Sequence, residues 1–153
     1  MHNAALFVHL ACAIVWMGGM AFMLLALRPA ALATMEAQPR ARLMVAVMHR
    51  FFNIVCGAVV GLLLTGGQMY ASLSKTALGA SGVPQGVQLM ASVGLLMFLV
   101  FGHIYFAGFK KFRRAVTAGE WPVAAKAAGQ IHTLVITNFC LGWLAIAAVI
   151  LLR

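Results

Sequence analysis

Each of four long stretches that carry no charged side chain has a candidate ligand histidine within it or at its edge. These residues are His9, His49, His103 and His132, and each belongs to a different stretch. An ionisable side chain is costly in an apolar environment unless it has a partner, and imidazole is a common ligand of haem iron and other metal ions. The four histidines therefore indicate a haem or metal site.

His103 and His132 form the leading candidate pair of ligands. His103 precedes Lys110 by seven residues, and His132 follows Lys126 by six. At about 1.5 Å per helical residue, both lie roughly 9–10 Å from the same charged border, on consecutive antiparallel helices. Two imidazoles at one depth can ligate a haem iron from opposite sides, but they can equally hydrogen-bond each other. The spacing leaves both interpretations open.

His49 and Met90 are further candidate ligands. His49 immediately precedes Arg50 at the membrane border. There it can contact lipid headgroups, hydrogen-bond a haem propionate or supply a third ligand. Met90 stands at the start of the third apolar helix, at the same level as His9. A His/Met axial pair is chemically reasonable for haem iron, although the sequence does not fix how these two helices face each other.

A stripe of soft ligands runs along the first helix. Helical spacing places His9, Trp16, Met20 and Met23 on one face, and Cys12 lies one turn after His9. Copper(I) accepts imidazole and thioether ligands. These ligands extend over about 20 Å of the helix, which is too far for one ion to bind them all, so an ion would pass from one ligand to the next. Trp16 is placed to pack against or hydrogen-bond a cofactor. Core packing produces the same pattern, so the stripe predicts either a core face or a copper path.

The composition is that of an integral membrane protein. Hydrophobic residues make up 64% of the 153 residues and charged residues 8%, against roughly 25% charged in soluble domains. Each charge-free stretch is long enough to cross the hydrocarbon core, which needs about 20 apolar helical residues. We expect an all-α, up-down four-helix bundle forming a single transmembrane domain over residues 1–153. The predicted spans are approximately residues 4–27, 50–71, 87–109 and 127–152.

The predicted helix ends follow from proline and from the charged segments. Arg28-Pro29 is expected to end the first span, because proline lacks the N–H that a helix interior needs. One long helix is expected to cover residues 40–70. Residues 71–86, rich in Ser, Gly and Ala, are expected to form the outer loop. The basic segment 110–126 is expected to be a loop on the other side.

The charge distribution predicts the orientation. Most basic residues flank the first and third connections: Arg28, Arg40, Arg42, Arg50, Lys110, Lys111, Arg113, Arg114 and Lys126. By the positive-inside rule these connections are cytoplasmic and both termini are outside, in an inner (cytoplasmic) membrane of the bacterial type. Membrane lipids are the expected partners of this basic surface, and nucleic acid is not.

Several residues and motifs that the sequence lacks argue against particular classes of function. Both acidic residues, Glu36 and Glu120, belong to the predicted cytoplasmic loops, so no carboxylate is available inside the membrane for ion coupling or proton relay. The sequence contains no Walker loop, G-x-G-x-x-G, Ser/His/Asp set or H-E-x-x-H. These absences disfavour an ion-coupled transporter and a hydrolase.

Three motifs resemble those of known membrane families. They are His9-x6-Trp16-x-Gly18-Gly19 followed by Arg28, Gly102-His103-Ile104-Tyr105 leading to Lys110, and Asn138-x-x-Leu141-Gly142. The set resembles the copper-resistance protein D (CopD) family and its relative, the HemJ-type protoporphyrinogen oxidase. The resemblance covers nearly the whole chain in helix order and length.

This resemblance implies two kinds of function. The HemJ-like relatives imply a b-type haem in a four-helix membrane bundle that works in porphyrin oxidation, and the copper-resistance relatives imply movement or redox handling of copper near the outer face. The sequence has Met90 and Ser92 where the oxidase pattern has a His and a Lys, and Phe139 where it has an acidic residue. These departures argue against porphyrinogen oxidation itself but leave the scaffold and a haem in place.

The sequence thus predicts a haem b-binding membrane protein that transfers electrons within the bilayer. One haem rather than two is expected, held by His103 and His132; if a second, outer site exists, His9 would anchor it. The first alternative is a copper-handling protein for copper uptake or resistance, with ligands His9, Cys12, Met20 and Met23. Porphyrinogen oxidation and a purely structural subunit are further alternatives. A membrane oxidoreductase with a quinone or other redox partner and a homodimer are compatible with the pattern, which assigns no catalytic residue.

Overall fold

Four long helices build the protein, and the computed structural model describes residues 2–77 and 82–152. The helices are α1 (residues 2–34), α2 (Ala37–Ala77), α3 (Gln85–Ala118) and α4 (Trp121–Leu151). All four are long and apolar enough to cross a membrane, and the described residues contain no β-strand. The predicted all-α four-helix bundle is confirmed, whereas its division into domains and the membrane borders of its spans stay predictions.

Helix α1 passes through Arg28-Pro29, so the helix end predicted there is wrong. Its three consecutive segments are α-helical His2–Phe22, π-helical Met23–Leu27 and α-helical Arg28–Thr34. The N–H of Arg28 donates to the carbonyl of Met23, five residues earlier, instead of four. This wider turn places Pro29 at the start of the next α-helical segment, where a missing N–H is tolerated. The helix ends at Met35, whose backbone is extended.

Both loops predicted from composition are partly helical. Helix α2 continues through Ala77, so the first part of the predicted loop 71–86 is helix, and residues 78–81 lie outside the described residues. The predicted basic loop 110–126 is wrong, because α3 continues to Ala118 and α4 begins at Trp121. Between them Gly119 has φ +72°, a left-handed conformation that glycine adopts without strain and that ends helices.

The helices pack as two pairs, α1 with α2 and α3 with α4. Glycines allow the close approach within each pair. A Cβ added to Gly61 of α2 would lie 2.7 Å from the Cys12 sulfur of α1. A Cβ added to Gly86 of α3 would collide with the carbonyl oxygens of Ala148 and Leu152, and the N–H of Gly86 donates to the Leu152 carbonyl at 3.0 Å.

Aromatic rings join the two pairs across the bundle. Trp16 of α1 stacks on Phe98 of α3 with ring centroids 5.6 Å apart. Phe52 of α2 meets Phe101 and Phe109 of α3 edge-on, at 5.7 and 5.3 Å. Each such pair contributes about 0.5–1.5 kcal/mol beyond the area that it buries. The aromatic contacts therefore help to fix how the two pairs face each other, and with them the interior side chains.

Candidate functional site

A cavity of about 240 Å³ opens at the end of the bundle where α1 meets α2 and α3 meets α4. We call this the basic end, because it carries the basic residues of segments 28–50 and 110–126. The cavity is lined by residues of all four helices: Met23, Leu24, Arg28, Ala31, Leu32, Ala37, Arg40, Ala41, Met44, Met48, Phe112, Trp121, Ala124, Ala125, Ala128, Gly129, Ile131, His132 and Val135.

Three thioethers and one imidazole line this cavity. Met23 comes from α1, Met44 and Met48 from α2, and His132 from α4. Met44 and Met48 are one helical turn apart, so their side chains share a face. Thioether sulfur and imidazole nitrogen together suit copper(I), whereas Mg²⁺, Ca²⁺ and Mn²⁺ prefer oxygen ligands.

Methionine is directed inward throughout the bundle. Of the ten methionines, the nine whose side chains are described are all buried or half-buried. In contrast, many large aliphatic side chains, such as Ile14, Leu64 and Leu99, are exposed on the outer surface, where lipid would cover them. Methionine fills irregular gaps well, so the positions of particular sulfur atoms matter more than their number.

Two further methionine side chains meet in the middle of the bundle. The side chains of Met17 and Met97 both lie against Gly142 of α4, where an added Cβ would meet the Met17 thioether and, at 3.2 Å, the Met97 methyl group. One turn earlier, Asn138 is 1% exposed, and its Oδ1 atom is buried with no hydrogen-bond partner among the described residues. An unpartnered buried amide oxygen is unusual, since almost all buried polar groups are satisfied.

Near the opposite end, His9 is held in one tautomer by Thr65. The Thr65 hydroxyl donates to the Gly61 carbonyl at 2.6 Å, so its only proton is already used. The contact of 3.0 Å between His9 Nδ1 and Thr65 Oγ1 must therefore be a hydrogen bond that Nδ1–H donates. In a neutral imidazole this leaves Nε2 with a free lone pair, the arrangement seen in metal-binding histidines.

The structure does not bring His103 and His132 together. His103 is exposed on α3, between the buried residues Phe101 and Ile104, and it does not line the cavity that His132 lines. His132 is half-buried and lies close enough to Arg28 for electrostatic interaction. No hydrogen bond or ring contact joins the two imidazoles in the part of the chain that the structure describes.

The other predicted ligands occupy separate places. His49 is exposed, and its ring stacks on Phe109 with centroids 6.3 Å apart. Met90 is half-buried, and no described contact joins it to His9. Trp16 and Met20 are deeply buried, at 3% and 2% exposed, in the aromatic core. No group of three His, Cys, Asp or Glu residues that could hold a metal ion exists in residues 2–77 and 82–152.

Sequence reasoning missed the residues that complete these sites. Met44 and Met48 carried a usable signal, because two thioethers four residues apart share a helix face. The sequence carries no such signal for Met17, Met97 or Thr65, because their roles depend on which helices face each other. Arg28 was predicted as a border residue but not as part of a cavity wall.

Fold and interior together define a multi-pass α-helical membrane protein whose inward-facing side chains are rich in soft metal ligands. Residues 45–152 match the family model of copper resistance protein D, and the chain belongs to this family. The match covers α3 and α4 completely and most of α2. No curated protein and no solved structure matches the sequence significantly.

Proposed function

We propose that this protein binds copper(I) within the membrane and passes it between soft ligands in the bundle interior, as part of copper uptake or resistance. The observation that carries the proposal is the convergence of Met23, Met44, Met48 and His132, from three different helices, on one cavity. Membership of the copper resistance protein D family supports the same metal.

His9 provides the first ligand, near the end opposite the basic end. Its Nδ1–H is held by Thr65, so Nε2 is the nitrogen available to a metal ion. Cys12, one turn further along α1, is half-buried against Gly61 and is not in a disulfide. A thiol one turn from an imidazole is a second soft donor at this level.

The middle of the bundle provides the next donors. Met17 and Met97 meet over Gly142, and Asn138 lies one turn away with its buried oxygen unpartnered. From here Met20 and Met23 continue along α1 towards the cavity at the basic end. Because α1 rises about 1.5 Å per residue, His9 and Met23 are separated by roughly 21 Å, so the proposal requires transfer between successive sites.

Haem b is less well supported by the geometry. A bis-histidine haem needs two imidazoles that face each other across the macrocycle, whereas His103 is exposed and does not line the cavity that His132 lines. The cavity of about 240 Å³ is also smaller than the roughly 300–1,000 Å³ of typical cofactor pockets. Electron transfer and the porphyrinogen oxidation of HemJ-type oxidases both depend on such a haem. An absorption spectrum with a Soret band in the purified protein would favour them over copper.

The test is a copper(I) titration of the purified protein in neutral detergent, with bicinchoninate as the competing chelator. Met44→Leu/Met48→Leu removes two cavity sulfurs at nearly constant volume, and Met69→Leu is the matched control, a half-buried methionine of α2 that does not line the cavity. We expect the double variant to bind copper(I) at least roughly 10-fold more weakly and the control to resemble the wild type. Equal affinity of all three proteins would refute the assignment of this cavity.

A further inference from the structure

We propose that the same cavity binds the phosphate group of an anion at its arginine-lined mouth, either a phospholipid headgroup or free phosphate. This inference concerns Arg28 and Arg40, and it stands whether or not the protein handles copper. The two guanidinium groups belong to α1 and α2 and line one cavity.

Arg28 is a half-buried cation without a partner. Its guanidinium makes no hydrogen bond and no ion pair within residues 2–77 and 82–152. The acidic residues Glu36 and Glu120 form no salt bridge with any described residue and do not line the cavity. None of its nitrogen atoms is fully buried, so the unpaired charge is accessible to a ligand that enters the cavity. A cavity with two arginines and no carboxylate in its lining favours an anion.

Arg40 is held in position on the other side of the connection between α1 and α2. Its Nη1 donates to the carbonyl of Met35 at 3.2 Å, which anchors the guanidinium and leaves its other N–H groups for a ligand. Arginine N–H groups match the spacing of phosphate oxygens and bind them in bidentate fashion. One anchored and one unpaired guanidinium on one cavity thus form a site suited to an oxyanion.

The remaining walls suit an amphiphile. Besides the two arginines and His132, the lining is mainly apolar, including Leu24, Leu32 and Val135, and no carboxylate contributes to it. Trp121 is also part of the lining, and tryptophan is enriched at the level of lipid headgroups. A phospholipid would place its phosphate on the arginines and its apolar part against these walls.

Bound phosphate would also change the electrostatics of the cavity. The positive charges of Arg28 and Arg40 repel a cation that approaches the thioethers of the same cavity. An oxyanion on Arg28 and Arg40 would offset this repulsion.

The test uses the full-length protein, stripped of lipid in neutral detergent, with three probes: dioctanoyl phosphatidylglycerol, dioctanoyl phosphatidylcholine and inorganic phosphate. Arg28→Gln and Arg40→Gln remove one charge each. Arg42→Gln is the matched control, since Arg42 is exposed, does not line the cavity and lies two residues from Arg40 on the same helix. Binding is followed by native mass spectrometry and by the shift in melting temperature.

We expect phosphatidylglycerol to bind the wild type and Arg42→Gln alike, and to bind both cavity variants on the order of tenfold more weakly, because each loses charge-assisted hydrogen bonds. Stronger binding of phosphatidylglycerol than of inorganic phosphate assigns the site to lipid, and equal binding assigns it to free phosphate. If Arg28→Gln does not fold, Arg28→Lys keeps the charge but not the bidentate geometry and should still weaken binding. Equal loss in Arg42→Gln, or no preference for the anionic probes over phosphatidylcholine, would overturn the proposal.

Discussion

Replacing Thr65 by valine tests whether His9 is prepared for a metal ion. Valine has nearly the shape of threonine but no hydroxyl, so the His9 Nδ1–H loses the acceptor that now lies 3.0 Å away. The Gly61 carbonyl loses the hydroxyl at 2.6 Å but keeps the N–H of its own helix. The main consequence is therefore a free imidazole that can rotate and exchange tautomers.

The expected magnitude follows from this one hydrogen bond. Loss of the partner of a buried donor costs about 1–3 kcal/mol, and the half-buried position of His9 places the cost near the lower end. Removing the hydrogen-bond partner of a ligating histidine weakens metal binding by roughly 10–100-fold. We predict a loss of copper(I) affinity in that range for Thr65→Val, with only a small change in melting temperature.

The assay combines copper(I) competition with ¹⁵N NMR of the imidazole. Thr65→Ser restores the hydroxyl and should return both the Nδ1–H tautomer and the copper affinity to near wild-type values. An unchanged copper(I) affinity in Thr65→Val, or a failure of Thr65→Ser to rescue it, would refute the role of His9 as an oriented ligand.

Three more predictions address packing and ligand assignment. Gly86→Ala should destabilise the bundle by about 1–3 kcal/mol, because the new methyl group meets backbone carbonyls that cannot move aside. Gly94→Ala is the control, since the space around its Cβ is open, and it should leave the stability unchanged. Thermal unfolding compares the two variants. Gly142→Ala displaces the flexible Met17 and should weaken copper(I) binding with little change in melting temperature. His103→Ala should leave copper(I) stoichiometry unchanged, because His103 is exposed away from the cavity; a loss of bound copper or of a Soret band would contradict this.

The sequence predicted the number and order of the helices well because this information is local. Charged residues are excluded from the hydrocarbon core, so the charge-free stretches mark the helices directly. Helix ends were predicted less well. Pro29 is accommodated by the preceding π-helical turn, and the run from Lys110 to Arg114 remains helical, since basic side chains at a membrane border do not require a loop.

The candidate site was predicted only in part, because a sequence indicates how deep a residue lies in the membrane more readily than the direction in which its side chain points. His103 and His132 have similar depths by residue count, but helix rotation directs His103 outward while its neighbours Phe101 and Ile104 are buried. His9 and Met23 were identified because they share a face of one helix. The spacing of Met44 and Met48 shows that they share a helix face, but their place in the cavity wall, like the contact of Thr65 with His9, depends on contacts between helices that no local sequence pattern encodes.

X-ray absorption spectroscopy of the copper(I)-loaded protein tests the central claim most directly, since it identifies the atoms bound to the metal. We predict a copper(I) edge with both sulfur and nitrogen scatterers, and a loss of sulfur scattering in Met44→Leu/Met48→Leu but not in Met69→Leu. A spectrum with nitrogen and oxygen ligands alone, or a sulfur contribution that the double variant leaves unchanged, would contradict a thioether and imidazole site in the cavity at the basic end.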